Sequence, residues 1–328
     1  MKTRNFGRTG REVSEIGFGA WAIGADWGHV DADDAIAALR AALEAGITFI
    51  DTADVYGDGR SEQLIARVLK DHPGPRPFVA TKAGRRLPAQ TVAGYTRANL
   101  TAWIERSLNN LEVDTLDLVQ LHCPPTDLYY VPEAFAILDD LKRDGKLRDY
   151  GVSVERVEEA IKSLEYPGVV SIQIIYNIFR QRPQELLFEL ARKHNTAIIA
   201  RVPLASGLLA GKFRADSVFE ATDHRQFNRH GEAFDVGETF SGVPYDIGLA
   251  AVEQVRKLVG GDASMAQFAL RWILMSDAVT VAIPGAKNVE QARANAAAAS
   301  LAPLEPSVMA ELAAIYDRDV RPHVHQRW

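Results

Sequence analysis

Residues 46–56 read Gly46-Ile-Thr-Phe-Ile-Asp51-Thr-Ala-Asp-Val-Tyr56, and they decide the fold. An apolar run (Ile47, Phe49, Ile50) ends in a carboxylate, Asp51. A tyrosine follows five residues later, just ahead of Gly57-Asp58-Gly59. A short apolar run bounded by glycine predicts a buried strand. Two later stretches have the same form: Phe78-Val-Ala-Thr-Lys82 and Leu118-Val-Gln-Leu-His122. Three successive strands that end in a polar residue predict one rim on which Asp51, Tyr56, Lys82 and His122 gather.

The rest of the chain repeats this unit. Upstream, Lys2–Phe6 and Glu12–Ile16 flank Gly7-Arg-Thr-Gly10, a hairpin expected to cap one end of the fold. Residues 16–20 form a first short strand. Asp31 is expected to cap a helix over 33–45, and Ser61 one running to Leu69. Helices are predicted over 94–110, 132–144, 184–194, 245–259, 264–275, 288–299 and 305–317, with one more ending near Leu164. Further strands are predicted at 149–153, 169–175, 196–201 and 278–283. Eight strands, each followed by a helix, predict an α/β fold, a (β/α)8 TIM barrel with an N-terminal β-hairpin and a C-terminal helix and tail. An open doubly wound sheet is the alternative. No linker composition divides the chain, so one domain over 1–328, with its core at about 15–318, is expected. The irregular span 203–244 is too long to be a passive connection, and a covering role is expected of it.

Composition narrows the function. Hydrophobic residues make up 47% of the 328, enough for a large core. The formal charge of −6 lacks the basic footprint of a nucleic-acid binder. Cys123 is the one cysteine, which excludes an intramolecular disulfide framework and points to a reducing compartment. Arg11, Glu12 and Glu15 interrupt the place where a signal sequence needs an apolar run. No stretch is long and apolar enough to span a bilayer. A cytoplasmic protein with no membrane partner is expected.

Gly17-Phe-Gly19-Ala-Trp-Ala22 matches the dinucleotide pattern G-x-G-x-x-A. That pattern needs a helix opening at its glycines. The residues that follow have no helical period, and the next predicted helix lies beyond Asp31, so the match is read as a strand leading into a loop.

The chemistry that suits the rim is carbonyl reduction. Hydride arriving at a carbonyl carbon leaves charge on oxygen, which needs a proton. Tyr56 can give it, and an ammonium at Lys82 is expected to lower the phenol's high pKa. Asp51 keeps Lys82 charged and oriented. His122 donates a hydrogen bond to the carbonyl oxygen. The histidines form no compact set with metal-ligand spacing, so no metal is expected.

Asp51-Thr-Ala-Asp-Val-Tyr56-Gly, Thr81-Lys82, Leu121-His122 and Gly151-Val-Ser153 together resemble the aldo-keto reductase superfamily, over about residues 3–318. The resemblance implies a barrel, NAD(P)H lying extended across the rim, and Asp51, Tyr56, Lys82 and His122 as a catalytic tetrad with Tyr56 as the general acid. It places the nicotinamide amide near Ser153 and Gln173, although Val154 stands where relatives often carry Asn. Arg201 stands where many relatives stack an aromatic ring, and a guanidinium can stack there instead. Gly19, Ala20 and Trp21 are expected beside the cofactor. Pro203, Leu204, Ser206, Gly207 and Lys212 are expected along the pyrophosphate. Pro284, Gly285, Ala286, Lys287, Gln291 and Asn295 are expected at the adenosine end. There Gly285 and Ala286 would offer amides at a helix N-terminus, and Lys287 a counter-charge for a 2′-phosphate. NADPH is the expected cofactor, with NADH as the alternative. Substrate contacts are expected from Trp21, Trp27, Tyr56 and His122, with Tyr129, Tyr130 and Phe227 or Phe240 as apolar walls. The expected function is reduction of an aldehyde or ketone. Oxidation of a sugar or alcohol is the alternative, and a cofactor-binding regulatory subunit the lesser one.

Overall fold

The structure is a computed structural model that describes residues 1–24 and 30–328. A hairpin comes first, β1 (Thr3–Asn5) and β2 (Glu12–Ser14), paired antiparallel. Then β3 (Phe18–Gly19), β4 (Phe49–Asp51), β5 (Phe78–Ala83), β6 (Leu116–His122), β7 (Leu147–Ser153), β8 (Val169–Ile175), β9 (Ala197–Arg201) and β10 (Val279–Ala282) form one sheet. These eight strands lie in chain order and each pairs parallel with the next. Parallel bridges Ile16↔Ala282 and Gly19↔Gly285 join the last strand to the first, so the sheet closes into a barrel. Helices stand between the strands, among them Ala32–Glu44, Arg60–Lys70, Arg97–Leu111, Pro132–Arg143, Met265–Leu274 and Val289–Ala297. The expected (β/α)8 barrel and hairpin are therefore present. No helix among the described residues is long and apolar enough to cross a membrane.

The seam explains the G-x-G-x-x-A match. A Cβ on Gly19 would lie 2.6 Å from the Ile283 carbonyl oxygen, so glycine is required for closure of the barrel. Gly19 N–H donates across the seam to Pro284 O at 3.0 Å. The expectation that no helix opens here is corrected in detail. A single helical turn, Trp21–Gly24, follows at once.

Two apolar layers hold the fold. The larger fills the space between sheet and helices. The smaller lies inside the barrel and includes Phe6, Val13, Phe49, Phe78, Leu118, Ile199 and Val281. Phe6, from the hairpin, stacks against Phe49 (5.5 Å) and lies tilted against Phe78 (4.9 Å), so it plugs the barrel below its polar rim. Burial of one such ring contributes about 1.5–3 kcal/mol. Arg8 fastens the hairpin turn to the carbonyls of Pro167 (2.6 Å) and His194 (2.9 Å).

Strand parity then fixes the site. Side chains alternate faces with a period of two. Phe49, Phe78, Leu118 and Ile199 face inward. Asp51, Lys82, His122 and Arg201 keep that parity at the next or next-but-one inward positions, so they face inward too at the C-terminal ends of β4, β5, β6 and β9.

Two local expectations are corrected. The helix at 60–70 is capped by Gly59, not Ser61. Ser61 is buried, and its hydroxyl pairs with Thr52 Oγ1 at 2.8 Å and with Ala20 O at 3.2 Å. Gly285 and Ala286 are not at a helix N-terminus. The helix there begins at Val289, and the Asn288 side chain caps it by accepting from Gln291 N at 2.9 Å. Gly285 belongs to the seam instead.

Candidate active site

The four expected tetrad residues meet at one point. Lys82 Nζ donates to Asp51 Oδ1 at 2.5 Å, to Thr52 O at 2.8 Å and to Tyr56 Oη at 3.0 Å. The three ammonium protons are thus all used. The Tyr56 ring meets the His122 ring edge-on, with centroids 5.9 Å apart. Lys82 and Asp51 are buried and Tyr56 is half-buried.

The second oxygen of Asp51 is also held. Oδ2 accepts from Gln173 Nε2 at 2.7 Å and from Gln120 Nε2 at 3.1 Å. Gln173 was expected to meet the nicotinamide amide, but its N–H group is committed to Asp51. Its oxygen lies 3.5 Å from Ser153 Oγ. Gln120 was missed, although its position gave a signal. A glutamine in an apolar strand, two residues before His122, must share the histidine's face.

Electrostatics separates the roles. Burial works against the Lys82 charge, but the Asp51 carboxylate and Tyr56 outweigh it and hold its pKa above the ordinary value. Burial and the charges of Arg85, Lys82 and Arg201 push His122 well below the imidazole range, so it is neutral and able to donate one N–H. The Tyr56 expectation is corrected. Burial raises its pKa, and the Lys82 charge opposes that shift without reversing it. In this arrangement Tyr56 is a protonated phenol, suited to giving a proton.

Arg201 is not free to act as a stacking plane alone. It donates to Glu155 Oε2 (2.9 Å) and Val154 O (2.9 Å) at the end of β7. The backbone turns left-handed immediately after His122 and Arg201, at Cys123 (φ 46°) and Val202 (φ 51°). A β-branched residue in that region is strained, and such strain gathers where side chains must be aimed.

Above the tetrad the long segment 203–244 covers the rim. Trp21 stacks on Tyr56 (6.1 Å) and lies tilted against His224 (4.8 Å), and Phe234 meets it edge-on (5.9 Å). The aromatic wall is therefore Trp21, His224 and Phe234, with Phe227 behind at 6.1 Å from Phe234. The other expected walls fail. Phe240 is buried among Phe213, Phe219 and Tyr245. Tyr129 packs on Phe135, and Tyr130 is 65% exposed. Trp27 lies outside the described residues. Trp328 is buried, donates to Asp235 Oδ1 at 2.8 Å and stacks under Arg180 at 4.2 Å, which fastens the same segment.

The remaining residues expected at the cofactor lie in three segments. Gly19, Ala20 and Trp21 leave the seam beside Gly285. Ala205, Ser206 and Gly207 are left-handed (φ 48°, 54° and 96°), a sharp turn after Pro203 and Leu204. Ser206 Oγ ties that turn to Glu238 O at 2.9 Å, and Lys212 is exposed. Asn295 Nδ2 donates to Gly285 O at 3.0 Å, and Gln291 Oε1 takes the Lys287 N–H at 2.9 Å, so both organise the loop that follows Pro284 and Ala286. The Lys287 charge is disfavoured by burial and by Arg225. Arg225 itself is held by Asp223, Nε to Oδ1 at 2.8 Å and Nη2 to Oδ2 at 2.5 Å, and Asp223 and Glu220 favour the Lys287 charge.

The sequence and fold are similar to those of known proteins. The aldo/keto reductase family matches residues 15–317. Aldo-keto reductase YhdN of Bacillus subtilis is 32% identical over 300 residues, covering 90% of this chain and 87% of the relative. The NADH-specific methylglyoxal reductase of Escherichia coli is 27% identical, covering 97% of this chain and all of the relative. The structure of the glycerol dehydrogenase AKR11B4 from Gluconobacter oxydans is 30% identical with a TM-score of 0.77, covering 98% and 96%. An aldo-keto reductase from Klebsiella pneumoniae in complex with NADPH is 25% identical with a TM-score of 0.67, covering 96% and 95%. The chain belongs to the aldo/keto reductase family and is an oxidoreductase.

Proposed function

We propose that the protein reduces a small aldehyde or ketone to the alcohol, as a single unit over 1–328 in a reducing compartment, with NADPH as its cofactor. The observation that carries this reading is the Asp51–Lys82–Tyr56 chain, with neutral His122 against the Tyr56 ring. A nicotinamide cofactor, when bound, supplies the hydride. Gly19–Trp21, Pro203–Lys212 and Pro284–Asn295 would hold it. His122 donates a hydrogen bond to the carbonyl oxygen and so orients the carbonyl. Tyr56 Oη delivers its proton to that oxygen as charge develops there. Lys82, fixed by Asp51 and Thr52, stabilises the phenolate left behind. Trp21, His224 and Phe234 exclude water. The NADPH-bound relative and Lys287 at the expected adenosine end support NADPH, and the NADH-specific relative keeps NADH as the alternative. Oxidation of an alcohol, the direction named for the glycerol dehydrogenase, uses the same groups in reverse.

The test is nucleotide-dependent turnover over a panel of aldehydes, ketones and polyols, in both directions and with both nucleotides, beside Tyr56→Phe. The variant is expected to lose about 10²–10⁴-fold in kcat while still binding nucleotide. Wild type that binds nucleotide tightly yet turns over nothing would reject the reading and favour a cofactor-sensing subunit.

A further inference from the structure

Four charged side chains share the barrel mouth with the tetrad, and the reduction step does not use them. Arg85 follows β5, Glu155 follows β7, Arg201 ends β9, and Glu238 comes from the covering segment. Arg85 Nη2 donates to Glu238 Oε1 at 2.6 Å and to Glu155 Oε1 at 3.1 Å. Arg201 donates to Glu155 Oε2 at 2.9 Å, and its Nη1 lies 3.7 Å from Glu238 Oε1. The side chains of Arg201 and Glu238 are 8% and 6% exposed. The set is therefore a closed ring of two guanidiniums and two carboxylates, largely out of water.

Its place matters more than its strength. Cys123, next to His122, lies 3.7 Å from Arg201 Nη2. After burial, the largest influence on His122 is the Arg85 charge, ahead of that of Lys82, and Glu238 bears on Tyr56. The ring thus stands beside the groups that would hold a carbonyl oxygen. Fastening a loop does not require it, because apolar contacts between groups of this volume serve as well or better.

The two carboxylates are unequal. Glu155 and both arginines belong to the rim, whereas Glu238 is brought to them by a long loop. Burial, and then the nearby Glu238 carboxylate, raise the Glu155 pKa against the pull of Arg201 and Arg85. Burial works against the Glu238 charge, but Arg85 and Arg201 overcome it and hold its pKa down. The tethered carboxylate makes the shorter bond to Arg85, 2.6 Å against 3.1 Å for Glu155. Without Glu238, the rim presents the guanidiniums of Arg85 and Arg201 to one carboxylate, Glu155. A third cation lies close by: Arg180, whose pKa burial lowers to about 9. Such a mouth is built to receive one anion, and the planar guanidinium fork matches a carboxylate.

We propose that the substrate is a short carbonyl acid whose carboxylate is received by Arg85, with Arg201 beside it, in the place Glu238 occupies. This rests on the carbonyl-reductase reading. The carboxylate is only bound. The carbonyl carbon gains the hydride, its oxygen gains the Tyr56 proton, and the nicotinamide is oxidised. Glu238 is the stand-in that keeps the arginines paired until the acid arrives.

The experiment compares glyoxylate, pyruvate and 4-oxobutanoate, each beside its methyl ester, in wild type, Arg85→Gln and Arg85→Lys. For wild type, kcat/KM is expected to favour the acid by about ten- to a hundredfold, carried by KM. In Arg85→Gln the ratio of acid to ester is expected to fall to near one, and Arg85→Lys to keep part of it. A second readout needs no turnover. Binding of propionate is expected to weaken about tenfold or more in Arg85→Gln, while the amide propionamide shows no such discrimination. Tight NADPH binding by each variant verifies its fold. A wild type that prefers the esters, or an Arg85→Gln that lowers acid and ester equally and leaves propionate binding intact, overturns the proposal while leaving the reductase reading standing. A wild type inert toward every carbonyl that still binds propionate through Arg85 overturns the reductase reading and leaves the carboxylate site standing.

Discussion

Asp51→Asn removes one charge from the most tightly tied group in the barrel. Lys82 would keep its ammonium, which is 1% exposed, with only Thr52 O and Tyr56 Oη to face. The new amide cannot satisfy both sides as they stand. If its oxygen faces Lys82 at the 2.5 Å position, its NH₂ faces the N–H groups of Gln173 and Gln120, now at 2.7 and 3.1 Å from Oδ2. Breaking a buried pair on one side costs about 3–5 kcal/mol. With an unfolding entropy of about 2.1 cal/mol/K per residue, that loss lowers Tm by about 4–7 °C for a chain of this size. The deficit also depends on pH. In wild type the Lys82 pKa is raised, so its contribution is fully present below the ordinary lysine pKa of 10.5 and lost only as pH passes the raised value. In the variant, burial acts unopposed by Asp51 and the Lys82 pKa falls below the ordinary lysine value. The variant's deficit is then greatest at low pH, and it shrinks by about 1.4 kcal/mol per pH unit once Lys82 discharges in the folded state. Urea unfolding of both proteins from pH 6 to 9 measures it. Equal midpoints across that range, with unchanged activity, would refute the account of Asp51 as the group that holds Lys82 charged.

Three further outcomes are expected. Asp54 is buried, neither carboxylate oxygen has a hydrogen-bond partner among the described residues, and burial followed by Glu62 raises its pKa from 3.8 to about 7. Its ionisation therefore opposes folding increasingly from pH 4 to 7, and Asp54→Asn should gain stability over that window, by as much as about 4 kcal/mol above it, in urea titrations at several pH values. Gly19→Ala drives a Cβ to 2.6 Å from the Ile283 carbonyl and should cost about 2–3 kcal/mol or more by thermal unfolding. Trp328→Ala removes the Asp235 hydrogen bond and the Arg180 stack, and should speed proteolytic cutting within 223–242 before the barrel is cut.

The barrel was legible because strands buried on both faces announce themselves as short apolar runs, and eight of them alternate with helices. The tetrad was legible for the same reason, since parity and a shared rim bring together residues that are far apart in sequence. What escaped lies where no period operates. Glu238, His224 and Phe234 sit in a segment whose path is set by side-chain ties such as Ser206 to Glu238 and Trp328 to Asp235. Gln173 was expected at the nicotinamide amide, and its partner could be named only with Asp51 across the barrel. The Tyr56 pKa was misjudged because Lys82 was visible in the sequence and the depth of burial was not. Helix starts slipped where Gly59 and Asn288, rather than Ser61 and Gly285, make the turn.

The Phe6 plug bears on traffic. The stacked rings of Phe6, Phe49 and Phe78 close the barrel axis beneath Asp51, Gln120 and Gln173, so the tetrad sits in a well with a dry floor. On the function proposed above, whatever reaches Tyr56 passes the segment 203–244, whose His224 and Phe234 flank Trp21 beside the Tyr56 ring. Changes in that segment are then expected to alter the pace of entry and release before they alter chemistry.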